Sequence, residues 1–512
     1  MSVLSGSFLI FFIVLLILYW CIPSKWRWIV LLAGSYLFYA SANRKWLLLI
    51  VFTTLQTYFA ARWLGKLNHY IKEDLKKIED KEQRKKKKEA IIRQKKGIVA
   101  LSLVTNFAVL FFFKTSYLWK EVPLLLPLGI SFYTFQTIGY LIDVYRANFE
   151  PERNLFKYAL FASYFPQIIQ GPINRYDKLF PQFFAERKFE WRRIKMGFWL
   201  FLWGMFKKLV ISDRAAVFVS AALGEGMPDT PGSIIVLGIF LFNLQLYTDF
   251  SGGIDMVSGI SQMLGIELAE NFRRPFFSRT LGEYWRRWHI SLGAWIKDYV
   301  FYPIAMSKLF AKLGKNAKKV FGNHIGKTLP AAVTSVITFV LIGLWHDITW
   351  CYVLYGLWHG ILTALSNLCE PVITRINHEL EIRTDVLSFR WFQRLRTWMI
   401  VSVGESFTLA GTLGMTAIMY DRIFKSFEVR ALLLDIAGFD LDIPNLFVLL
   451  CATFLLIFIS MKQESGVRIR EALEKQNVWF QWLMALGILW VTAVFGVYGP
   501  GYDAAAFIYG GF

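Results

Sequence analysis

The chain alternates between long apolar runs and shorter polar segments. Uncharged runs cover 7–22, 46–61, 98–113, 123–142, 330–345, 446–460 and 478–498. A helix needs about 20 mostly apolar residues to cross a bilayer, so many of these runs qualify as spans. The pattern predicts an all-α polytopic membrane protein with roughly ten to twelve transmembrane helices, by that length criterion, and some re-entrant or interfacial pieces.

The composition supports a membrane location. Of the 512 residues, 55% are hydrophobic and the mean hydropathy is +0.42, which is too apolar for a soluble globule of this size. No soluble domain and no internal repeat is evident. We therefore predict a single transmembrane domain over 1–512.

The net charge of +20 would suggest a nucleic-acid partner in a soluble protein, but the positive-inside rule explains it more simply. The densest basic run, Lys76–Lys96, interrupts two apolar runs and predicts a basic cytoplasmic loop or helical hairpin over 66–97. Four basic residues in 462–477 also belong inside. The last apolar run then leads outward and places the tail, 499–512, on the extracytoplasmic side. No nucleic-acid partner is expected.

The segment NFRRPFFSRTLGEYWRRWHISLGAWIKDYVFYPI, which begins at Asn271, carries the first candidate histidine. Thr280 and Glu283 form a capping box that predicts a helix start. Helical spacing then places His289 on one side of that helix with aromatic and apolar neighbours, namely Trp285, Trp288, Leu292 and Trp295. The face indicates either a functional histidine or an aromatic belt with a hydrogen-bonded structural histidine.

Two further histidines follow the apolar run 330–345. His346 ends that run and His359 lies thirteen residues later. An ionisable group within the membrane is costly and is a functional candidate. On one straight helix the two side chains would point roughly 140° apart, so only one would face a cavity unless the helix breaks. We favour His346, which has the polar Asp347 beside it.

The residue types limit the chemistry. No serine–histidine–acid or cysteine–histidine arrangement, glycine-rich phosphate loop or zinc signature appears, and the four cysteines lack metal spacing. No metal is expected. A desolvated histidine stays neutral and can act as a general base near pH 7. A base without its own nucleophile suggests a reaction between two bound substrates, such as acyl transfer from a thioester to a hydroxyl.

Several motifs follow one another along the chain and resemble one family, the membrane-bound O-acyltransferases. The resemblance is to its bacterial branch of alginate O-acetylase and the teichoic-acid D-alanyl transfer protein. The motifs are SYLFYA, LPLGISFYTFQTIGYLIDVYR, FPQIIQGPINRY, YTDFSGGIDM, YWRRWHISLGAWIKDYVFYPI and GLWHDITWCYVLYGLWHG, and they run from Ser35 to Gly360. In this order they are specific for that family.

The resemblance implies a ring of tilted helices around a central funnel crossed by a tunnel. It also implies that the essential histidine, in a tryptophan–histidine–glycine motif, is His346 and that His289 accompanies it. Asp347 replaces the motif's glycine, whereas His359 keeps the literal motif and is a second choice or a supporting residue. Asp249 and Asp255 match the family pattern and either line the cavity or hold helices together in a buried network.

The chain ends in FIYGGF, whose F-x-Y-x-x-F pattern resembles an acyl-carrying motif of this family. In that interpretation Tyr509 accepts the acyl group as an ester, while Phe507 and Phe512 anchor the tail. A phenol, with a pKa of about 10, is acidic enough for a histidine to help deprotonate it. The other interpretation is a simple aromatic anchor at the membrane interface.

The predicted function is a membrane O-acetyltransferase in the bacterial inner membrane. It would take acetyl from cytoplasmic acetyl-CoA and pass it, through Tyr509 and an extracytoplasmic SGNH-like O-acetyltransferase partner, to an exported or cell-envelope polysaccharide. One alternative is transfer of D-alanine from a carrier protein to teichoic acid. Another is a transporter in which histidines and aspartates form a proton relay.

Overall fold

The computed structural model describes residues 2–116 and 126–498. Within these ranges every regular element is a helix and there is no strand, so the predicted all-α class is confirmed. The predicted acyl-carrying motif, Phe507, Tyr509 and Phe512, lies outside the described residues.

Six helices in the described residues are long and apolar enough to cross a membrane, which confirms a multi-pass membrane protein. They are Arg44–Lys77, Lys81–Lys114, Gly232–Met263, Lys308–His346, Ile443–Glu464 and Val478–Phe495, and Gly6–Cys21 is a shorter apolar helix. The sequence predicted ten to twelve crossings. Some apolar runs instead form shorter helices, such as Ile130–Tyr145, which begins after Gly129 with a φ of 66°. The ring, funnel and tunnel stay predictions.

The last two spanning helices present large apolar side chains outward. Phe454 is 71% exposed and Trp479 is 79% exposed. Apolar surface on this scale is unfavourable in water but is the surface that lipid tails cover.

The described chain divides into two compact units. Among the described residues, the first comprises 2–116, 126–201 and 254–269. Its helices are Gly6–Cys21, Arg27–Ala42, Leu47–His69, Lys81–Lys114, Ile130–Tyr145, Leu155–Ser163, Phe165–Gln170, Tyr176–Leu179 and the greater part of Trp191–Phe206. Short 3₁₀ or π turns, such as Tyr70–Asp74 and Leu75–Lys77, connect or extend them.

The basic segment 66–97 is a helical hairpin in this unit, which turns at 78–80. Its arms continue into Leu47–His69 and Lys81–Lys114. Gln56 bridges these two helices beyond the hairpin, because its Nε2 donates to Ser102 Oγ over 2.8 Å and its Oε1 accepts from Asn106 Nδ2 over 2.8 Å. This polar link satisfies amide groups between two apolar helices.

Among the described residues, the second unit comprises 202–253 and 270–498. Its described helices are Asp213–Leu223, Gly232–Met263 as far as 253, Leu281–Arg287, Ile290–Ile296, Tyr302–Ala305, Lys308–His346, Trp350–Leu368, Glu370–Glu379, Leu387–Leu409, Leu413–Lys425, Val429–Leu434, Ile443–Glu464, Ile469–Glu474 and Val478–Phe495. Two π-helical turns, Lys207–Ser212 and Lys297–Phe301, and the 3₁₀ turn Pro275–Phe277 also belong to it.

The long helix Lys308–His346 is interrupted at Gly322, whose φ of 84° and ψ of −177° are accessible essentially to glycine alone. The arms on either side pack together: a methyl group at Gly314 would lie 2.8 Å from the carbonyl oxygen of Gly326. Only the arm after Gly322 carries the apolar run that ends at His346.

That arm packs tightly against the next helix, Trp350–Leu368, through glycines on both. A methyl group at Gly343 would lie 2.1 Å from the carbonyl oxygen of Tyr352, and one at Gly356 would lie 2.5 Å from that of Phe339. Small residues allow the two backbones to approach closely, which is the main source of helix association in lipid.

A buried ion-pair network ties the π-helical turn Lys207–Ser212 to Gly232–Met263. Lys208 Nζ lies 2.7 Å from a carboxylate oxygen of Asp249 and 2.7 Å from one of Asp213, and all three side chains are at most 10% exposed. Lys207 Nζ donates to Ser251 Oγ over 2.8 Å. Asp249 is therefore engaged with a lysine that holds two elements together, which is the second of the two roles predicted for it.

The substitution Lys208→Met is expected to destabilise the protein by about 3–5 kcal/mol, because it leaves two buried carboxylates without their cation. Thermal unfolding of the purified protein in detergent measures the effect. Lys425→Met is the control, since Lys425 pairs with Asp421 while 75% exposed and exposed pairs contribute little. Equal melting temperatures for the two variants would contradict the structural role of the network.

Candidate active site

His289 lies at a sharp break between two short helices. Its φ of 44° and ψ of 53° are left-handed, an uncommon conformation for a residue with a side chain. Leu281–Arg287 ends before it and Ile290–Ile296 begins after it. The single helical face predicted from Trp285 to Trp295 is therefore wrong. The predicted helix start is confirmed, because Thr280 Oγ1 accepts from the Glu283 amide over 3.1 Å, but the Glu283 carboxylate accepts from the Arg279 amide instead of the Thr280 amide.

Asn271 stabilises the break, because it supplies acceptors to the start of the second helix. Its Oδ1 accepts hydrogen bonds from the Ser291 amide and the Ser291 hydroxyl, and its backbone oxygen accepts from the Ile290 amide over 2.9 Å. First-turn amides have no partner within their own helix. Because Asn271 satisfies these donors from a distant segment, the second helix can start where the first one stops.

The same Asn271 oxygen fixes the tautomer of His289. Asn271 Oδ1 lies 3.1 Å from His289 Nδ1. The same atom accepts from the Ser291 amide, which can only donate, so an acceptor oxygen faces His289. Nδ1 must then carry the proton, which leaves the lone pair on Nε2. Burial lowers the pKa of the His289 imidazole, so the ring is neutral at pH 7. Its acceptor nitrogen is therefore Nε2.

Aromatic rings enclose His289. The Phe250 ring meets it edge-on at 4.9 Å between centroids, and Phe250 in turn contacts Phe272, which contacts Trp288. The residue next to Phe250 is Asp249, whose carboxylate pairs with Lys208. The ion-pair network thus fixes the helix that packs Phe250 against this histidine.

His346 and His359 lie on two adjacent helices, not on one straight helix. The helix breaks after His346, and Trp350–Leu368 returns beside it. Tyr355 then lies near both: its ring centroid is 6.4 Å from that of His346 and 4.8 Å from that of His359. The break removes the constraint of a single straight helix, and it brings both histidines to one tyrosine.

The two histidines differ in access. His346 is 9% exposed and stacks at 6.0 Å on Tyr352. His359 is fully buried between Trp285 and Tyr355, and neither of its ring nitrogens has a hydrogen-bond partner in the described part of the chain. His346 is the one of this pair that retains surface through which a substrate could reach it.

Helix Leu387–Leu409 closes the cluster and brings in a carboxyl group that the sequence analysis did not single out. Glu405 is 5% exposed and accepts a hydrogen bond from the Tyr355 hydroxyl. The sequence alone could have indicated this residue, because Glu405 is an acid in the otherwise uncharged stretch 397–420. Intramembrane acids are functional candidates on the same grounds as the histidines.

The structure thus brings together part of the predicted set. The Trp285 ring packs on that of His359 at 4.9 Å between centroids. Because Trp285 precedes His289 by four positions, one short segment contains His289 and contacts His359. Asp255 is half-buried and belongs to the first compact unit, whereas the histidines belong to the second. No group of three or more potential metal ligands occurs among the described residues.

The candidate site is thus a group of buried histidines among aromatic rings in a multi-pass helical chain. Comparison with known proteins identifies the class: residues 152–405 match the membrane-bound O-acyltransferase family, and this range contains His289, His346 and His359. The chain belongs to that family and is an O-acyltransferase.

Named relatives support the same assignment. A probable alginate O-acetylase of Pseudomonas putida is 32% identical over 438 residues, which is 82% of this chain and 80% of the relative. The peptidoglycan O-acetyltransferase of Helicobacter pylori is 31% identical over 65% of this chain and 63% of its own. The teichoic acid D-alanyltransferase of Streptococcus thermophilus is 31% identical over 46% of this chain and 55% of its own.

The substitution Gly404→Ala is expected to lower the melting temperature and the activity. A methyl group at Gly404 would lie 2.3 Å from His359 Nε2, and such overpacking costs about 1–3 kcal/mol. Gly487→Ala makes the same change on Val478–Phe495, where the new methyl would meet nothing within 4 Å. Thermal unfolding of both variants measures the difference. A Gly404→Ala protein as stable as the Gly487→Ala protein would show that the close contact is not required.

Proposed function

We propose that this chain takes an acetyl group from cytoplasmic acetyl-CoA and delivers it for O-acetylation of an exported or cell-envelope polysaccharide. The observation that carries the proposal is the extent of its similarity to a named O-acetylase, 82% of the chain. The similarity to a D-alanyltransferase covers 46%. Both relatives act in acyl transfer, but the longer match favours acetyl as the group transferred.

His346 acts as the general base. It lies at the end of a spanning helix, keeps 9% of its surface exposed and is packed against Tyr352. A neutral imidazole has the lone pair that a general base needs to take a proton from an attacking hydroxyl. His359, which is fully buried, supports the position of Tyr355 and Trp285 around it.

His289 is the second histidine of the reaction. The Asn271 oxygen holds its Nδ1 proton, so Nε2 can accept a hydrogen bond or a proton from the incoming hydroxyl. Its left-handed backbone, 44° in φ, is a strained conformation of the kind that persists where surrounding contacts define it, often at functional sites.

The transfer proceeds in two steps through Tyr509. In the first, the phenol oxygen of Tyr509 attacks the thioester carbonyl carbon, the histidine base takes the phenol proton, and the C–S bond breaks to release coenzyme A as the thiol. In the second, an acceptor hydroxyl attacks the aryl ester and Tyr509 leaves with the proton. Dividing one transfer into two is covalent catalysis, and a phenolate is a better leaving group than an alkoxide.

An SGNH-like O-acetyltransferase on the outer face completes the delivery to the glycan, with the chain in the bacterial inner membrane. The basic clusters at 66–97 and 462–477 support this orientation, because lysine and arginine are enriched on the cytoplasmic side. The tail with Tyr509 then reaches the extracytoplasmic side.

Transfer of D-alanine is the second candidate, favoured by the 31% identity to a teichoic acid D-alanyltransferase. The basic hairpin at 66–97 would then meet an acidic carrier protein. The two candidates differ in the mass of the group attached to Tyr509.

Loss of either His346 or Tyr509 is expected to abolish glycan acetylation. In membranes supplied with labelled acetyl-CoA, the native chain should form a hydroxylamine-sensitive adduct on Tyr509. His346→Ala should lose at least about a hundredfold in its rate of formation, and Tyr509→Phe should form none. Mass spectrometry of the C-terminal peptide locates the adduct and distinguishes acetyl from alanyl.

Two controls keep this test specific. His378→Ala removes an exposed histidine and Tyr498→Phe changes a tyrosine that is 53% exposed, so both should retain the adduct and the acetylated glycan. Full activity of His346→Ala or Tyr509→Phe, at normal expression, would rule out the proposed route.

Asn271 is expected to act by orienting His289. Asn271→Ala removes the acceptor for the Nδ1 proton and should lower the acetyl-transfer rate by up to about a hundredfold, with the pH dependence of the rate altered. Asn271→Asp keeps an acceptor oxygen at the same place and should recover part of the rate. Equal losses in the two variants would instead indicate a purely structural asparagine.

A further inference from the structure

The second unit contains a cavity of about 500 Å³ that is separate in chemistry from the histidine cluster. It is lined by Gly232–Met263, Leu387–Leu409, Ile443–Glu464 and the turn Pro275–Phe277. Nearly all of its walls are apolar, with leucine, phenylalanine and tryptophan side chains predominating. Two of the lining helices are spanning helices, so this apolar space lies within the bilayer region. Its size is within the usual range of roughly 300–1,000 Å³ for small-ligand sites.

The cavity wall is charged where it is lined by Arg274 and Arg394. Arg274 Nε pairs with Glu464 over 2.7 Å, and the same carboxylate lies 2.9 Å from Arg287. Burial alone would lower the pKa of Arg287, but the carboxylates of Glu464 and Glu283 outweigh it and raise this pKa. These glutamates are therefore already engaged by arginine.

Arg394 has a different environment. Its guanidinium lies 5.2 Å from the Phe277 ring and 4.8 Å from the Trp391 ring, and its Nε donates to the Phe277 carbonyl. Among the described residues it has no carboxylate within ion-pair distance. A half-buried guanidinium over aromatic rings, with donors to spare, is suited to an oxyanion such as a phosphate.

We propose that this cavity holds one acyl chain of an anionic phospholipid, whose phosphate lies on Arg394. The apolar walls match a lipid tail and the guanidinium at the polar end matches the headgroup charge. In the proposed orientation the adjoining segment 462–477 lies on the cytoplasmic side by its basic residues, and basic segments at a membrane surface attract anionic lipid headgroups. Depth, shape and charge therefore favour the same occupant.

A bound lipid would also support the aromatic rings that enclose His289. Tyr247 and Phe276 line the cavity and contact each other at 5.2 Å, and Tyr247 contacts Phe272 at 5.9 Å. Phe272 belongs to the aromatic enclosure of His289. An occupied cavity would pack against Tyr247 and Phe276, so lipid binding should stabilise the fold without contributing a reacting group.

Binding of short-chain lipids to the purified full-length protein in detergent tests the proposal. Native mass spectrometry and thermal unfolding with dioctanoyl phosphatidylglycerol should show binding and a raised melting temperature. Dioctanoyl phosphatidylcholine should bind more weakly because its headgroup carries no net charge, and inorganic phosphate alone should give neither effect.

Two variants separate the headgroup from the tail. Arg394→Gln should weaken phosphatidylglycerol binding by about tenfold, the size expected for one charge-assisted hydrogen bond, and should remove the preference over phosphatidylcholine. Thr453→Phe places a ring in the cavity and should weaken both lipids. Arg375→Gln is the matched control, because Arg375 is 80% exposed and pairs with Glu379.

Several outcomes would overturn the proposal. These are equal binding of the two lipids to the native protein, phosphate alone binding as well as the lipid, and unchanged phosphatidylglycerol binding in both Arg394→Gln and Thr453→Phe. Melting temperatures measured without lipid show whether each variant is folded, so a loss of binding can be separated from a loss of structure.

Discussion

The cost of placing polar groups in an apolar interior governs this structure. A buried donor or acceptor without a partner costs about 1–3 kcal/mol, and an unpaired charge costs more. Lys208 meets two carboxylates, and the Asn271 oxygen meets three donors. The Lys208–Asp249 pair joins positions 41 apart in sequence, and the Asn271–His289 contact joins positions 18 apart. The polar groups therefore determine how the apolar helices are arranged around the histidines.

Glycine is the second determinant, because lipid provides no hydrophobic force between helices and close contact must supply the attraction. Gly356 and Gly360 face the arm that ends at His346, while Gly404 brings Leu387–Leu409 against His359. The distance between these helices is thus set by residues without side chains. The aromatic rings then fill the remaining space around the two imidazoles.

The sequence predicted the helical class and the membrane location, because apolar runs are local signals. It also singled out three histidines, whose roles stay predictions. It did not predict the break at His289. That break depends on Asn271, eighteen positions earlier, and helical periodicity contains no information about such a partner. Glu405 was missed for a different reason. Its position in an otherwise uncharged stretch is visible in the sequence, but its contact with Tyr355 joins two helices and is not. The ring and tunnel rest on family resemblance alone.

The two tryptophan–histidine pairs show how packing can account for a motif. Gly360 follows His359, and a methyl group there would lie 2.8 Å from the Val336 α-carbon, so glycine is required at that place for helix packing. Asp347 follows His346 with a φ of −158° and a ψ of 153°, an extended conformation open to any residue. The literal motif at 358–360 therefore has a structural cause. The departure from glycine at Asp347 leaves the local backbone unstrained, which removes the main objection to His346 as the proposed base.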